Sequence, residues 1–211
     1  MDEALKAQEW AGSLAVEHAC APLLGLHNPR NRKCSEFNNA VMDWIKTNKP
    51  DRIYLIAHWF AWSNSDGGYD LADIASGAKG NERIFGQALG RTIERVRPYV
   101  KQIVVVGPTP GAIDALPYKL AMARWMHLAV PDEVPLQLYR ESSRNFWRGV
   151  QSYALDVIQI NPEPWFCNRE HCRYIENDQL LYRDSNHLSL AGARFAATHL
   201  VQASVLGGDR Q

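Results

Sequence analysis

No run of residues in this 211-residue chain is apolar for long enough to cross a bilayer. Blocks of one charge are missing too. Lys+Arg and Asp+Glu balance at 23 each, so the whole-chain charge gives no electrostatic reason to expect nucleic acid or an anionic lipid as partner. The N-terminus, Met1-Asp-Glu-Ala-Leu-Lys, is acidic and polar where an export signal needs a basic stretch and then an apolar one. There is no internal repeat, low-complexity segment or linker-like shift in composition. What is present suits a protein with a real core: 46% hydrophobic and 22% charged residues, in a length that fits one domain over 1–211. Composition alone therefore describes a soluble, cytosolic chain.

The cysteines point elsewhere. Cys20 and Cys34 flank a Pro/Gly/Asn-rich segment, and Cys167 and Cys172 flank Asn168-Arg169-Glu170-His171. An even number at short spacings in loop-like sequence favours disulfides, which need an oxidising compartment such as the periplasm. Two alternatives share the pattern. One is four buried thiols. The other is a zinc site using His171 beside Cys172, although a lone Cys-x4-Cys is a poor zinc signature. Disulfides in a chain without an export signal lead to the expectation of a piece of a longer protein.

Residues 2–11 read as a short helix and Ser13–Val16 as a strand. Ser35 reads as the N-cap of a helix burying Phe37, Val41, Trp44 and Ile45. Arg52–Trp59 is a β-rich apolar run, Ser63–Gly80 a polar loop, and Ile84, Phe85, Ala88, Leu89, Ile93 and Val96 form a helical face. Gln102–Val106 and Val157–Ile160 read as further strands. Pro131 and Pro135 bracket a turn before a helix that reaches about Tyr153, and Ser189–Ala203 reads as a last helix turning Leu190, Ala193, Phe195 and Leu200 inward. This alternation predicts an α/β three-layer sandwich with a mostly parallel sheet. Working residues in such folds sit beyond the carboxyl ends of strands. That singles out the loop after His58-Trp59, the Gly107-Pro108-Thr109-Pro110-Gly111 segment and the stretch before the last helix.

In that stretch stands Asp184-Ser185-Asn186-His187-Leu188-Ser189. A carboxylate three residues before an imidazole can accept its N–H, fix its tautomer and stabilise the imidazolium formed when the ring takes a proton from a nucleophile. The same spacing also occurs as a helix cap beside a surface His, and Ser189 is a cap candidate as well. Trp59, Phe60 and Trp62 fit either a sugar-stacking platform or core. His18, His27, His127 and His199 are scattered and read as structural or solvated, and Trp147, Trp165 and Phe166 as packing.

Asp184-x-x-His187-Leu188-Ser189 followed by Ala191-Gly192-Ala193 resembles the last conserved block of SGNH hydrolases, in particular the SGNH domains fused to acyltransferase family 3 membrane proteins. Cys20-Ala-Pro-Leu-Leu-Gly25 with Cys34 and Glu36-Phe37-Asn38 is similar to that family's cysteine-rich segment. Ile56-Ala57-His58-Trp59 resembles its third block, Val104–Pro110 its following strand, and Cys167…Cys172 with Leu181-Tyr182-Arg183 the approach to its catalytic Asp. The likeness runs from about Leu5 to about Ala203. It implies an SGNH/GDSL, flavodoxin-like fold, and acetyl transfer to lipopolysaccharide O-antigen or another surface glycan. It implies catalytic Asp184 and His187, and a pocket or oxyanion role for His58 and Trp59. It further implies an acetyl donor from the membrane domain, a glycan hydroxyl as acceptor, no metal or tightly held cofactor, and residence in the periplasm as part of an inner-membrane protein.

The chain departs from that pattern twice. The first block, Gly-Asp-Ser-His or similar, is absent, and with it the nucleophile and the first strand, so an N-terminally truncated domain is expected. His58 stands where relatives carry Arg and where ordinary SGNH hydrolases carry a Gly-x-Asn-Asp motif; Asn64 lies nearby in a loop and is not assigned to its place. A carbohydrate esterase or deacetylase of the same fold, and a glycan-binding module that has lost catalysis, are the alternative functions.

Overall fold

A computed structural model describes residues 10–111, 116–129 and 133–208, with side chains to 205. The expected helix at 2–11 thus falls almost wholly outside the described residues, as does Pro131. The chain divides into two compact units. One is Leu14–Pro108 with Ser142–Asn161; the other holds the described residues of Met1–Ser13, Thr109–Glu141 and Pro162–Gln211. The helix Leu136–Gln151 gives its residues 136–141 to the second and 142–151 to the first.

The first unit carries a parallel three-stranded sheet flanked by helices, in the order Arg52–Leu55, Gln102–Val106, Ile158–Ile160. Ile53 stands opposite Ile103 and Val106 opposite Ile160. The middle strand, Gln-Ile-Val-Val-Val, has its last four residues buried, the continuous β-branched run that a strand covered on both faces needs. Parallel neighbours require a crossover, and the helix Asn81–Val96 supplies one. Its buried residues include the expected Ile84, Phe85, Ala88, Leu89, Ile93 and Val96, the stripe that a 3.6-residue period lays on one face.

Asp73 and Arg91 fasten the loops of this unit. Arg91 donates from Nη2 to Asp73 Oδ2 at 2.6 Å and from Nε to the Leu24 carbonyl at 3.0 Å. Gly25 makes that approach possible. Its φ is +74°, and a Cβ there would lie 2.6 Å from Arg91 Nε, so any side chain would be strained and would displace the guanidinium.

Several expectations need correction. Ser13–Val16 forms no strand, and Leu14 and Val16 are 83% and 72% exposed. Ser35 is not a cap: the helix Cys34–Asn48 has already begun, with Lys33 before it and no side-chain cap. Its buried residues are Cys34, Asn38, Met42 and Ile45. Phe37 and Val41 are half-buried and Trp44 is exposed, because the Cys20–Cys34 disulfide turns the first residue of the helix inward. The strand from Arg52 ends at Leu55. The Trp59 N–H bonds back to the Ala57 carbonyl and the Ala61 N–H to the His58 carbonyl, which starts the short helix Trp59–Ser63. Within the expected loop, Ala72–Asp73 pairs with Leu26–His27.

The second unit is built from small antiparallel pieces. Glu133–Pro135 pairs with His171–Arg173. Ile175–Glu176 pairs with Gln179–Leu180 through Asn177-Asp178, both at positive φ (49° and 61°), the geometry that closes a two-residue hairpin. A core of Leu116, Leu136, Tyr139, Phe166, Tyr174, Leu181 and Tyr182 lies between these pieces. The last helix, Leu190–Gly208, buries Leu200 as expected, and Ala197 with it, and packs the half-buried Phe195 against that core, but Leu190 is 70% exposed and Ala193 is also exposed, because the first turn projects beyond the core.

Both cysteine pairs are disulfides, Cys20–Cys34 and Cys167–Cys172. No free thiol remains, which removes the thiolates on which the zinc alternative depended. Among the described residues no helix is long and apolar enough to cross a membrane.

Candidate active site

Asp184 and His187 form the expected pair, in the second unit. His187 Nδ1 lies 2.9 Å from Asp184 Oδ2 and 3.1 Å from Oδ1. Oδ1 also accepts the backbone N–H groups of Asn186 at 3.0 Å and His187 at 2.7 Å. The cap-like turn and the catalytic-type pairing are therefore the same structure: the carboxylate that closes the turn also holds the ring. Partial burial works to raise the Asp184 carboxyl. The two backbone donors, the imidazole N–H and its charge outweigh that and hold the pKa below the ordinary carboxylate value. A carboxylate kept ionised beside Nδ1 favours the tautomer with the proton on Nδ1, leaving Nε2 as the basic nitrogen. Nε2 makes no hydrogen bond among the described residues, and the His187 side chain is 62% exposed.

The loop is clamped from both sides. Tyr182 and Leu188 form a β-bridge, and the Arg183 N–H bonds the His187 carbonyl at 3.0 Å. The Ser189 N–H bonds the Leu181 carbonyl at 2.9 Å. Ser189 Oγ donates to the Leu180 carbonyl and accepts the Gly192 N–H at 3.0 Å. Ser189 is thus the helix cap that the sequence allowed. Gly192 lets the helix press on the residue that follows the strand Gln179–Leu180: a Cβ there would lie 1.9 Å from the Leu181 oxygen.

Part of the Gly107–Gly111 segment lies against this loop. The buried Tyr182 hydroxyl donates to the Pro110 carbonyl, and burial pushes its phenol pKa up. A Cβ on Gly111 would come 3.0 Å from the Ser185 oxygen. The sequence marked both segments as carboxyl-end loops and Ser189 as a possible cap, but did not show that Tyr182 and Gly192 fasten them. For Gly192 the signal was there, a glycine inside a helical pattern.

His58 and Trp59 belong to the first unit. Trp59 is fully buried, donates from Nε1 to the Val106 carbonyl at 2.6 Å, and packs on Phe85 and Phe146. It stands in the core, as does Trp62, whose ring centre lies 4.2 Å from that of Tyr69 at a tilt of 32°. His58 is exposed at the start of the short helix, 6.1 Å from Phe60. Asn64 has its side chain engaged: Nδ2 donates to Phe60 O, Ser63 Oγ and Ser142 O, and Oδ1 accepts from Asn145. Its amide holds a turn.

An imidazole held at Nδ1 by a clamped carboxylate, with Nε2 open, has the chemistry of a general base. Residues 1–202 match the family model described as "SGNH domain (fused to AT3 domains)", and the chain belongs to that family. The match runs across both units. Among solved structures, the chain is similar to the periplasmic domain of a Salmonella ser. Paratyphi A lipopolysaccharide acetyltransferase. The TM-score is 0.69 and the identity 16%, over 97% of this chain and 77% of that one, a likeness of fold. No curated protein matches the chain.

Proposed function

We propose that this chain is the acyl-transfer domain of an envelope O-acetyltransferase, in which His187 is the general base and Asp184 orients it. The observation that carries the reading is the Asp184–His187 Nδ1 pair, with Nε2 left open, in a chain of the SGNH family. The nucleophile would be a Ser that these 211 residues do not supply. Of the serines here, Ser185 lies inside the Asp184–His187 turn and Ser189 is committed as a cap. In the reaction, the Ser Oγ bonds the acetyl carbon while its proton passes to His187 Nε2. The bond to the donor breaks, and the leaving group takes that proton. A glycan hydroxyl then attacks the acetyl-Ser, again giving its proton to Nε2, and Ser Oγ recovers it. The oxyanion of each tetrahedral intermediate needs N–H donors.

His58, exposed past the carboxyl end of its strand, is assigned to substrate contact, and the buried Trp59 to holding that turn in place. The disulfides suit a periplasmic site of action. A membrane partner domain would deliver the acetyl group. Lipopolysaccharide O-antigen or a related polysaccharide would accept it. The open His187 ring also fits an esterase of the same fold, where water takes the acyl group.

The test is hydrolysis of p-nitrophenyl acetate by the 211-residue chain. It should not exceed the rate of its His187→Ala variant. A rate that His187→Ala abolishes would place a nucleophile within these residues and overturn the assignment of the Ser.

A further inference from the structure

The helix Leu116–Met126 is apolar on its outer side as well as its inner one. Leu116 and Ala123 are buried and Leu120 is half-buried, which fixes the inward side. At 100° per residue the opposite side carries Tyr118, Ala121 and Trp125, with the half-buried Met122 at its edge, where a surface helix should carry charge. Tyr118 is 66% and Trp125 76% exposed, and they stand two turns apart, about 10 Å along the axis. Met126 and Leu128 extend the patch at 51% and 59% exposure. Single exposed apolar side chains need no explanation, but a run of four large ones over 118–128 marks a contact surface.

The charge around the patch selects its partner. Lys119 and Arg124 are exposed beside the apolar side chains, and the sequence has no carboxylate between Asp114 and Asp132. The zero net charge of the whole chain averages away this local excess. Trp and Tyr rings with aliphatic neighbours and flanking Lys and Arg side chains are the composition that settles at the headgroup level of a bilayer. A carbohydrate would use the two rings but leave Met126 and Leu128 in water.

We infer that the outer face of the helix Leu116–Met126, with Leu128, is a membrane-surface anchor for bilayers carrying anionic headgroups. It lies in the interface without spanning it, and Lys119 and Arg124 pair with phosphate groups while Tyr118 and Trp125 enter the acyl boundary.

Vesicle co-sedimentation of the 211-residue chain tests this. Vesicles of phosphatidylglycerol and phosphatidylethanolamine should carry the protein down, and vesicles of phosphatidylcholine alone should do so far less. Tyr118→Ser/Trp125→Ser should weaken partitioning by at least about tenfold, and Lys119→Glu/Arg124→Glu should do the same. Circular dichroism should show both variants folded, since the altered side chains are exposed. Failure to sediment with anionic vesicles overturns the inference, as does sedimentation indifferent to both variants. A concentration-dependent dimer abolished by Tyr118→Ser/Trp125→Ser, without vesicle binding, would assign the face to a second copy instead.

Discussion

Asp184 Oδ1 accepts two backbone N–H groups while the carboxylate as a whole holds His187 Nδ1, so Asn and Ala at this position test different things. Asn keeps an acceptor for the turn but offers an N–H towards Nδ1, which forces the proton onto Nε2. Asp184→Asn should leave the melting temperature nearly unchanged and, under the proposed function, cut acetyl transfer on the order of 10⁴-fold. Asp184→Ala should lose the turn as well and lower the melting temperature further. Asp73 offers a residue-scale test of stability. The Ser76 backbone N–H and hydroxyl, and then Arg91, hold its carboxyl down to about 2 against the cost of burial. A depressed folded-state pKa contributes stability that is complete above the ordinary carboxyl pKa and is lost as pH falls through the folded one. Asp73→Asn should therefore cost about 2 kcal/mol at pH 7 in denaturant unfolding. The variant should also lose the wild type's fall in stability between about pH 4 and pH 2.

Where an element runs and where its neighbour touches it decide the loop that carries His187. A Cβ on Gly192 would meet the Leu181 carbonyl at 1.9 Å, so Gly192→Ala must lift the last helix from the Leu181 backbone. It should destabilise by about 2 kcal/mol or more and reduce acetyl transfer with it. Ser189→Ala should cost only about 1 kcal/mol, the usual value of a helix cap, read from thermal unfolding. Elements with a long period were legible in sequence. The face from Ile84 to Val96 and the run Gln102–Val106 stand where the pattern placed them. Two of the misreadings share a cause, a contact that lies outside the local pattern. Trp59 leaves its strand because its indole N–H reaches Val106, and Trp44 yields its place to Met42 because Cys34 is tied to Cys20. In the site, Asp184 and His187 could be read from spacing, whereas Tyr182 needed the knowledge that Pro110 lies beside it.

For the molecule as a whole, two disulfides tie short loops in units that are small and rich in loops. In the chain-entropy picture, closing the Cys20–Cys34 loop of separation 14 stabilises by about 3 kcal/mol and the Cys167–Cys172 loop of separation 5 by about 2. Reduction should therefore lower the unfolding midpoint, and Cys20→Ser/Cys34→Ser should lower it more than Cys167→Ser/Cys172→Ser. The chain belongs to the SGNH family, and in the proposed function the chemistry runs through Nε2 of the largely exposed His187 ring. The most direct measurement is alkali-released acetate from envelope glycan in cells making the full natural protein, compared with cells making its His187→Ala variant at equal level. Glycan acetylation should disappear in the variant while the folded protein persists. Undiminished acetylation with His187→Ala would contradict the account.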